Sequence, residues 1–381
     1  MYKLTTYDAI DQIPAAAWNA LVGDDLPFMR HEFLAAMERH GCVGERFGWL
    51  PRHLALTDEQ DRLLAAAPCY LKYNSYGEFV FDWAWADAYQ RAGRRYYPKL
   101  VIASPYTPAT GRRILTGNTP QREKLATTLT KGALQLAKEM GVSGLHWLFT
   151  ADDETEIMRS VGLMRRLGCQ FHWSNAGYDS FDHLLSTFSA EKRKKVKRER
   201  RRVTEADIQI RRLRGDQVSE EEWRIFHRLY EDTFDKRGGI PTLTLPFFRD
   251  IGHTMGEQLL LVLAEHAGDI VAAAFCLVGA RSLYGRHWGC SKDFHSLHFE
   301  ACYYQGLDHC IEHGLTRFEP GAQGEHKVAR GFLPTRTWST HWIEDGEFRR
   351  PIGKFLDHEI DGMEDYLAEM QQHSPYKAES V

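Results

Sequence analysis

LALTDEQDRLLAAAPCYL, from Leu54 to Leu71, lies without a gap over LVLAEHAGDIVAAAFCLV, from Leu261 to Val278, at an offset of 207 residues in a chain of 381. Each copy reads as an aliphatic strand, a polar turn (Asp58 to Arg62; Glu265 to Asp269) and a second strand with three alanines and a cysteine, the pattern of a β-hairpin. Working outward, the same order of elements follows both hairpins. In the first half a helix over Arg122 to Met140 stops at Gly141 and leads to a strand over Leu145 to Phe149. In the second half a helix over Phe299 to His313 stops at Gly314 and leads to a strand over Thr316 to Phe318. Hairpin, strand, helix, strand makes an α/β (α+β) unit whose mostly antiparallel sheet is covered by helices, and its duplication predicts two domains, 1–180 and 181–381, with a cleft between or beside them. Residues 151–167 read as a helix closing the first domain and Cys169 to Asn175 as a strand.

Composition is that of a globular protein: 43% hydrophobic and 26% charged residues, with a net charge of −4. The N-terminus has no basic start followed by an apolar run, and the longest aliphatic run, Leu259 to Ala264, is far too short to cross a bilayer. A cytoplasmic location without membrane insertion is expected. Seven widely spaced cysteines without a CxxC pair fit reduced thiols in the core; a zinc site from Cys276, Cys290 and Cys302 is the alternative, and no metal is expected. No P-loop, dinucleotide fingerprint or Ser-His-Asp order is present.

Several stretches carry a resemblance: YGEFVFDWAWADAYQRAG (76–93), YYPKLVIASPYTPATGRRIL (96–115), GCQFHW (168–173), KRKKVKRERRRV (192–203), LYGRHWGC (283–290), HFEACYYQG (298–306) and GAQGEHKVARGF (321–332). They resemble the FemAB-like, predicted N-acyltransferase proteins of the GNAT superfamily over most of the chain. The resemblance implies tandem duplicated GNAT (acyl-CoA N-acyltransferase-like) domains. It also implies an N-acyltransferase that moves an acyl or aminoacyl group from an activated donor, aminoacyl-tRNA or acyl-CoA, to an amine. The acceptor would be a small molecule, a peptide or a peptidoglycan precursor, with tRNA as a further partner and no tightly bound cofactor. A non-catalytic protein that recognises RNA or a cell-wall precursor is the alternative.

Residues 191–202 hold nine Lys or Arg against two Glu, a local charge of about +7, on a helix over 190–203 at the domain junction, with Ser189 as its cap and Val196 and Val203 as its apolar stripe. Such crowding favours a bound polyanion, and Lys192, Arg193, Lys197, Arg198 and Arg201 are the expected phosphate ligands; a solvated basic helix is the competing reading. Fem proteins resemble this chain in having a basic helix at a similar place.

Acyl transfer to an amine requires a proton acceptor, donors for the tetrahedral oxyanion and an anchor for the donor. Ordinary GNAT enzymes anchor the donor on an RxxGxG loop, whereas SKDFHSLHFEACYYQG (291–306) has no such loop, which sets acyl-CoA against tRNA as the donor. GAQGEHK follows the strand at which GNAT sheets open; it places Glu325, His326 and Lys327 together, with Gln323 beside them. By resemblance to a YK pair in the wider Fem group, Lys327 is the expected donor to the acyl carbonyl or oxyanion, His326 moves the proton and Arg330 holds an anionic group. A surface Glu325–Arg330 ion pair is the competing structural reading. Tyr284, Arg286 and Trp288 alternate onto one face of a strand suited to a planar or carboxylate ligand, or to an ordinary core with one paired arginine. Glu300, one turn from Tyr303, is expected to hold or deprotonate the amine, or else to lie on the surface. His309 and His313 lack a third ligand. Asp82 and Trp83 belong to an acceptor-recognition wall or to plain aromatic packing.

Overall fold

The computed structural model describes residues 2–322 and 324–377. The chain divides into two compact units, residues 2–169 with 336–366 and residues 170–335 with 367–377.

In the first unit β1 (Lys3–Tyr7), β3 (His53–Thr57) and β4 (Leu63–Ala67) form a three-stranded antiparallel sheet. A second sheet takes β2 (Trp49–Pro51), β5 (Cys69–Lys72), β6 (Lys99–Ile102), β7 (Gly144–Thr150) and the first part of β8 (Met164–Ser174). The repeated hairpin is present as read: Leu54 faces Ala67 and Leu56 faces Ala65, with a bulge after Leu56. Asp58 closes its turn by accepting the N–H of Gln60 and of Arg62, both at 3.0 Å. Helix Arg122–Glu139 buries Leu125, Ala126, Leu129, Ala133 and Ala137 against this core. It then delivers the chain to β7, which runs parallel to β6.

The second unit repeats the scheme with β9 (Ile208–Arg214), β10 (Leu259–His266), β11 (Asp269–Val278), β12 (Ser282–Cys290) and β13 (Arg317–Glu319). β10 and β11 pair through a two-residue turn, Ala267 and Gly268, both at positive φ, again with a bulge, here after Ala264. The copies differ where Pro68 stands in place of Phe275. Proline cannot donate to a ladder, so the first copy breaks into β4 and β5, which join different sheets, while β11 runs unbroken for ten residues.

The units are not consecutive halves, as a split into 1–180 and 181–381 expects. β14 (Leu333–Ile343) pairs antiparallel with β7 through residues 338–343, so 336–366 belongs to the first unit. β13 in turn pairs antiparallel with Trp173 and Ser174 at the end of β8. Each parallel pair is thus completed by the strand that follows the other pair in the chain. β8 also starts earlier than expected: Gly162 at φ 98° ends the helix Asp152–Ser160, and the strand begins at Met164.

Candidate active site

In the second unit β12 and β13 run parallel for only three residue pairs, Ser282–Arg317, Leu283–Phe318 and Tyr284–Glu319. Beyond them β12 continues to Cys290, whereas the other chain turns away at Pro320 and Gly321 (φ 96°). A Cβ on Gly285 would lie 3.1 Å from Pro320 Cα, so glycine permits this close crossing at the fork. At the same place β12 bulges: Phe275 faces His287 and Cys276 faces Gly285, leaving Arg286 as the extra residue.

The bulge ends the simple alternation expected of Tyr284, Arg286 and Trp288. Tyr284 is fully buried and its hydroxyl accepts from Arg317 at 3.4 Å, so it belongs to the core. Arg286 lies in electrostatic reach of Tyr230, and burial pulls its guanidinium down to about 10. His287 packs on Tyr230 at 5.0 Å between ring centroids. Trp288 keeps a place near the fork, 5.4 Å from the ring of His298.

The helix that leaves β12 is not regular. Leu297–Phe299 is α, Glu300–Tyr304 is one π turn, and Gln305–Glu312 returns to α. A π turn inserts a residue and re-aims those around it, commonly at a functional site. Here it brings Tyr303 towards the GAQGEHK segment, where the Tyr303 hydroxyl and His326 Nε2 are 2.9 Å apart. His326 is exposed while Tyr303 is buried. Burial, with Arg330, Lys327 and Lys195 nearby, lowers the imidazole below its usual value, which keeps it neutral at pH 7. Burial raises the Tyr303 phenol, which therefore stays protonated. The rings of His298 and Phe299 complete the lining, at 6.2 and 5.8 Å from His326.

Other expected site residues are placed differently. Lys327 is buried, donates to the Gly321 carbonyl at 2.6 Å and is pulled down to about 8 by desolvation; its ammonium braces the turn from inside. Glu300 is buried too, accepting from Arg200 at 3.0 Å and from Gln305 at 2.7 Å, so it is engaged before any amine arrives. Arg330 does not pair with exposed Glu325 as a surface bridge; it is buried, grips Glu199 at 2.7 and 3.1 Å, donates to the His326 carbonyl at 2.6 Å and lies 3.4 Å over the Phe299 ring. Gln323 lies outside the described residues. His309 and His313 stack on each other at 4.1 Å, and among the described residues no group of three or more His, Cys, Asp or Glu is arranged to hold a metal.

The basic segment is the helix Ala190–Glu205; Ser189 stands at its cap position without a side-chain cap bond. Lys197, Arg198 and Arg201 are exposed and Lys192 and Arg193 half-buried. Lys197 meets Asp182 at 3.0 Å and Arg201 meets Glu205 at 3.3 Å. Val196, Glu199 and Val203 form the buried stripe. Glu199 bonds the Tyr304 hydroxyl as well as Arg330, and Arg200 bonds Glu300 and Asp308, the latter at 2.7 Å. These two anchors were not among the sequence candidates, although Glu199 sits between the two valines at helical spacing, which is the available signal. Two further cations of this helix have partners outside it: Lys195 is in electrostatic reach of His326, and Arg202 lies 3.0 Å from His295 on the loop after β12.

The corresponding fork in the first unit is filled by the chain itself. After β6 and β7 pair at Leu100–Leu145 to Ile102–Trp147, the segment 103–117 packs against them: Gly111 N–H donates to the Phe149 carbonyl at 3.0 Å and Leu115 pairs with Ala66. Glu154, buried, accepts the N–H groups of Arg113 and Ile114, each at 2.8 Å, and fixes the plug. Nearby, Asp82 is buried against Lys99 and Tyr96, and Trp83 is exposed.

The family model described as FemAB-like, peptidoglycan biosynthesis/recognition, matches residues 9–378. The chain belongs to the FemAB-like family. No curated protein matches it. Among solved structures this FemAB-like chain is similar to FemX, at 14% identity and a TM-score of 0.56, over 90% of this chain and 98% of that one. It is also similar to the C-terminal domain of a putative lysylphosphatidylglycerol synthetase from Agrobacterium fabrum, at 8% identity and TM-score 0.55, covering 92% and 95% of the two chains. A conserved protein of unknown function from Bacteroides thetaiotaomicron matches at 11% identity and TM-score 0.53, over 89% and 99%. With the repeated hairpin and strand–helix–strand order, these likenesses make the fold of the FemAB-like chain a tandem GNAT-type α/β fold. No helix among its described residues is long and apolar enough to cross a membrane.

Proposed function

We propose that this FemAB-like chain is an N-acyltransferase whose chemistry takes place at the fork of its second unit, with an aminoacyl-tRNA or acyl thioester as donor and an amine on a peptidoglycan precursor or peptide as acceptor. One observation carries the reading: an exposed, neutral His326 is hydrogen-bonded to a buried, protonated Tyr303 where two parallel strands part. That is an acid–base pair at the point where two parallel strands separate, whereas at the corresponding point of the first unit the segment 103–117 bonds back to β7 through Gly111 and Phe149.

The roles follow from the chemistry of aminolysis. The ammonium gives one proton to water, and its lone pair attacks the acyl carbonyl carbon to form the C–N bond and a tetrahedral oxyanion. His326 takes the second nitrogen proton. When the C–O or C–S bond to the donor breaks, the imidazolium, through Tyr303, returns that proton to the leaving oxygen or sulfur. Lys327 holds the turn that carries His326, Arg330 fixes the carbonyl of His326, and the basic helix presents Lys195, Arg198 and Arg202 to the donor's phosphates. Arg200 and Glu199 lock that helix to the π-turned helix.

The test is incubation of the full chain with a pool of aminoacyl-tRNAs, or with acetyl-CoA, and a UDP-linked muramyl pentapeptide, followed by mass spectrometry of the acceptor. A mass gain on an amine that disappears in His326→Ala and persists in an Asp87→Ala control supports the reading. An unchanged acceptor with both donors, alongside tight retention of tRNA or precursor, replaces it with the binding-protein alternative.

A further inference from the structure

Residues 375–377 lie in the second unit, alongside the chain that enters the basic helix. The Ser189 N–H donates to the Pro375 carbonyl at 2.8 Å and the Lys377 N–H to the Thr187 carbonyl at 2.9 Å, which makes an antiparallel bridge between Phe188 and Tyr376. The rings of these two residues meet edge to face at 5.1 Å. From this bridge Tyr376 reaches the end of the turn Glu325–Arg330, and its hydroxyl donates to the Gly331 carbonyl at 2.9 Å. Burial, with Tyr178 beside it, raises the phenol, so it keeps the proton it donates. Gly331 admits the contact: it sits at φ 94°, and a Cβ there would lie 2.9 Å from both the Phe188 ring and the Tyr376 hydroxyl.

The peptide that Tyr376 holds is the one joining Gly331 to Phe332. On one side of it lies the turn that carries His326, closed by the bond from the Gly331 N–H to the Val328 carbonyl at 3.0 Å. On the other side Phe332, fully buried, has its ring 5.5 Å from that of Tyr303. A single hydrogen bond thus orients the backbone behind both members of the His326–Tyr303 pair. The other anchors of the turn act elsewhere, Lys327 on the Gly321 carbonyl and Arg330 on the His326 carbonyl. Gly324 and Gly331, both at positive φ, bound the turn and are the points at which it can pivot. Tyr376 fixes the second of them.

We propose that Tyr376 is a positioning residue of the candidate site: its hydroxyl holds the turn so that His326 stays against Tyr303 and partly shielded from water. The assignment rests on the acyl-transfer reading only for its consequence in turnover, since the placement of His326 is measurable without substrate. Tyr303 and His298 face the imidazole from the helix after β12, Lys195 faces it from the basic helix, and its own turn carries Glu325, Lys327 and Arg330. Loosening the turn hydrates the imidazole and relieves the desolvation that disfavours its charged form, so His326 then titrates at a higher pH. A base must be neutral to accept a proton, and the acid limb of the pH–rate profile therefore moves up with it.

Tyr376→Phe tests it, because the variant loses the hydroxyl and keeps both the ring on Phe188 and the backbone bridge. The His326 ring is titrated by NMR in the full chain, its signal assigned with His326→Gln, and is expected to titrate at a higher pH in Tyr376→Phe than in the wild-type. Turnover with a working donor and acceptor is expected to fall on the order of tenfold, with KM for the donor within about twofold of the wild-type. Thr130→Val, which removes a buried hydroxyl bond to the Ala126 carbonyl (2.8 Å) in the first unit, controls for a general loss of stability and leaves titration and turnover unchanged. Each titration is read well below the variant's melting midpoint, so unfolding does not enter. An unchanged His326 titration in Tyr376→Phe overturns the proposal, as does the same shift in Thr130→Val or a defect confined to donor KM. A shifted titration in a chain that transfers no acyl group retains the positioning role and discards the catalytic reading.

Discussion

Replacing Lys327 with methionine is expected to stabilise the protein and slow it. The Lys327 ammonium is desolvated and held at about 8 against an ordinary 10.5, a penalty on the charged form of roughly 3 kcal/mol. Its hydrogen bond to the Gly321 carbonyl offsets about 1–2 kcal/mol of that. Lys327→Met fills nearly the same volume without the charge, leaving a net gain of about 1–2 kcal/mol at pH 7, or about 2–8 °C in a unit of this size. The sign with pH is fixed. Below pH 8 both folded and unfolded lysine are protonated and the full penalty stands; between 8 and 10.5 the folded state has released its proton while the unfolded state keeps it, so the wild-type gains stability as pH rises. The gap between variant and wild-type therefore closes at about pH 9, and by about pH 10.5 the wild-type is the more stable of the two. Thermal unfolding by circular dichroism from pH 6.5 to 10.5 measures it. Turnover is expected to fall on the order of 10-fold or more, because the turn carrying His326 loses its brace. A variant that melts below wild-type at pH 7, or a gap that does not change with pH, refutes the reasoning.

Three further outcomes follow from other contacts. Glu199→Ala leaves Arg330 buried without its carboxylate partner and is expected to cost about 3–5 kcal/mol in urea unfolding; a loss under 1 kcal/mol shows that another group takes over. Gly289→Ala places a Cβ 2.2 Å from the Leu229 carbonyl oxygen, so β12 must leave the helix Glu220–Asp235, and an expected loss above about 2 kcal/mol is checked by thermal unfolding. Ala replacements at Lys195, Arg198 and Arg202 together are expected to leave the melting temperature within about 2 °C while weakening donor binding and flattening its dependence on log salt; an unchanged salt slope removes the helix from phosphate binding.

Residue pattern alone carried the duplication, because hairpin turns and alanine-rich strands are local features written in consecutive residues, and it placed the helices to within a few positions, whereas the fork was expected from the resemblance to GNAT proteins. It also carried the basic helix and the GEHK segment. What it left undecided are matters of which side chain faces which across the chain. Lys327 and Arg330 look like surface cations beside Glu325, yet folding buries both: one finds a backbone carbonyl, the other Glu199, 131 residues away. Glu300 looks free until Arg200 arrives from the basic helix. The π turn that delivers Tyr303 to His326 has no signature in spacing, since it is set by packing at both ends of the helix. The strand exchange that places 336–366 with the first unit is invisible for the same reason: β pairing is a long-range choice of hydrogen-bond partners, and nothing in a strand's own residues names its neighbour.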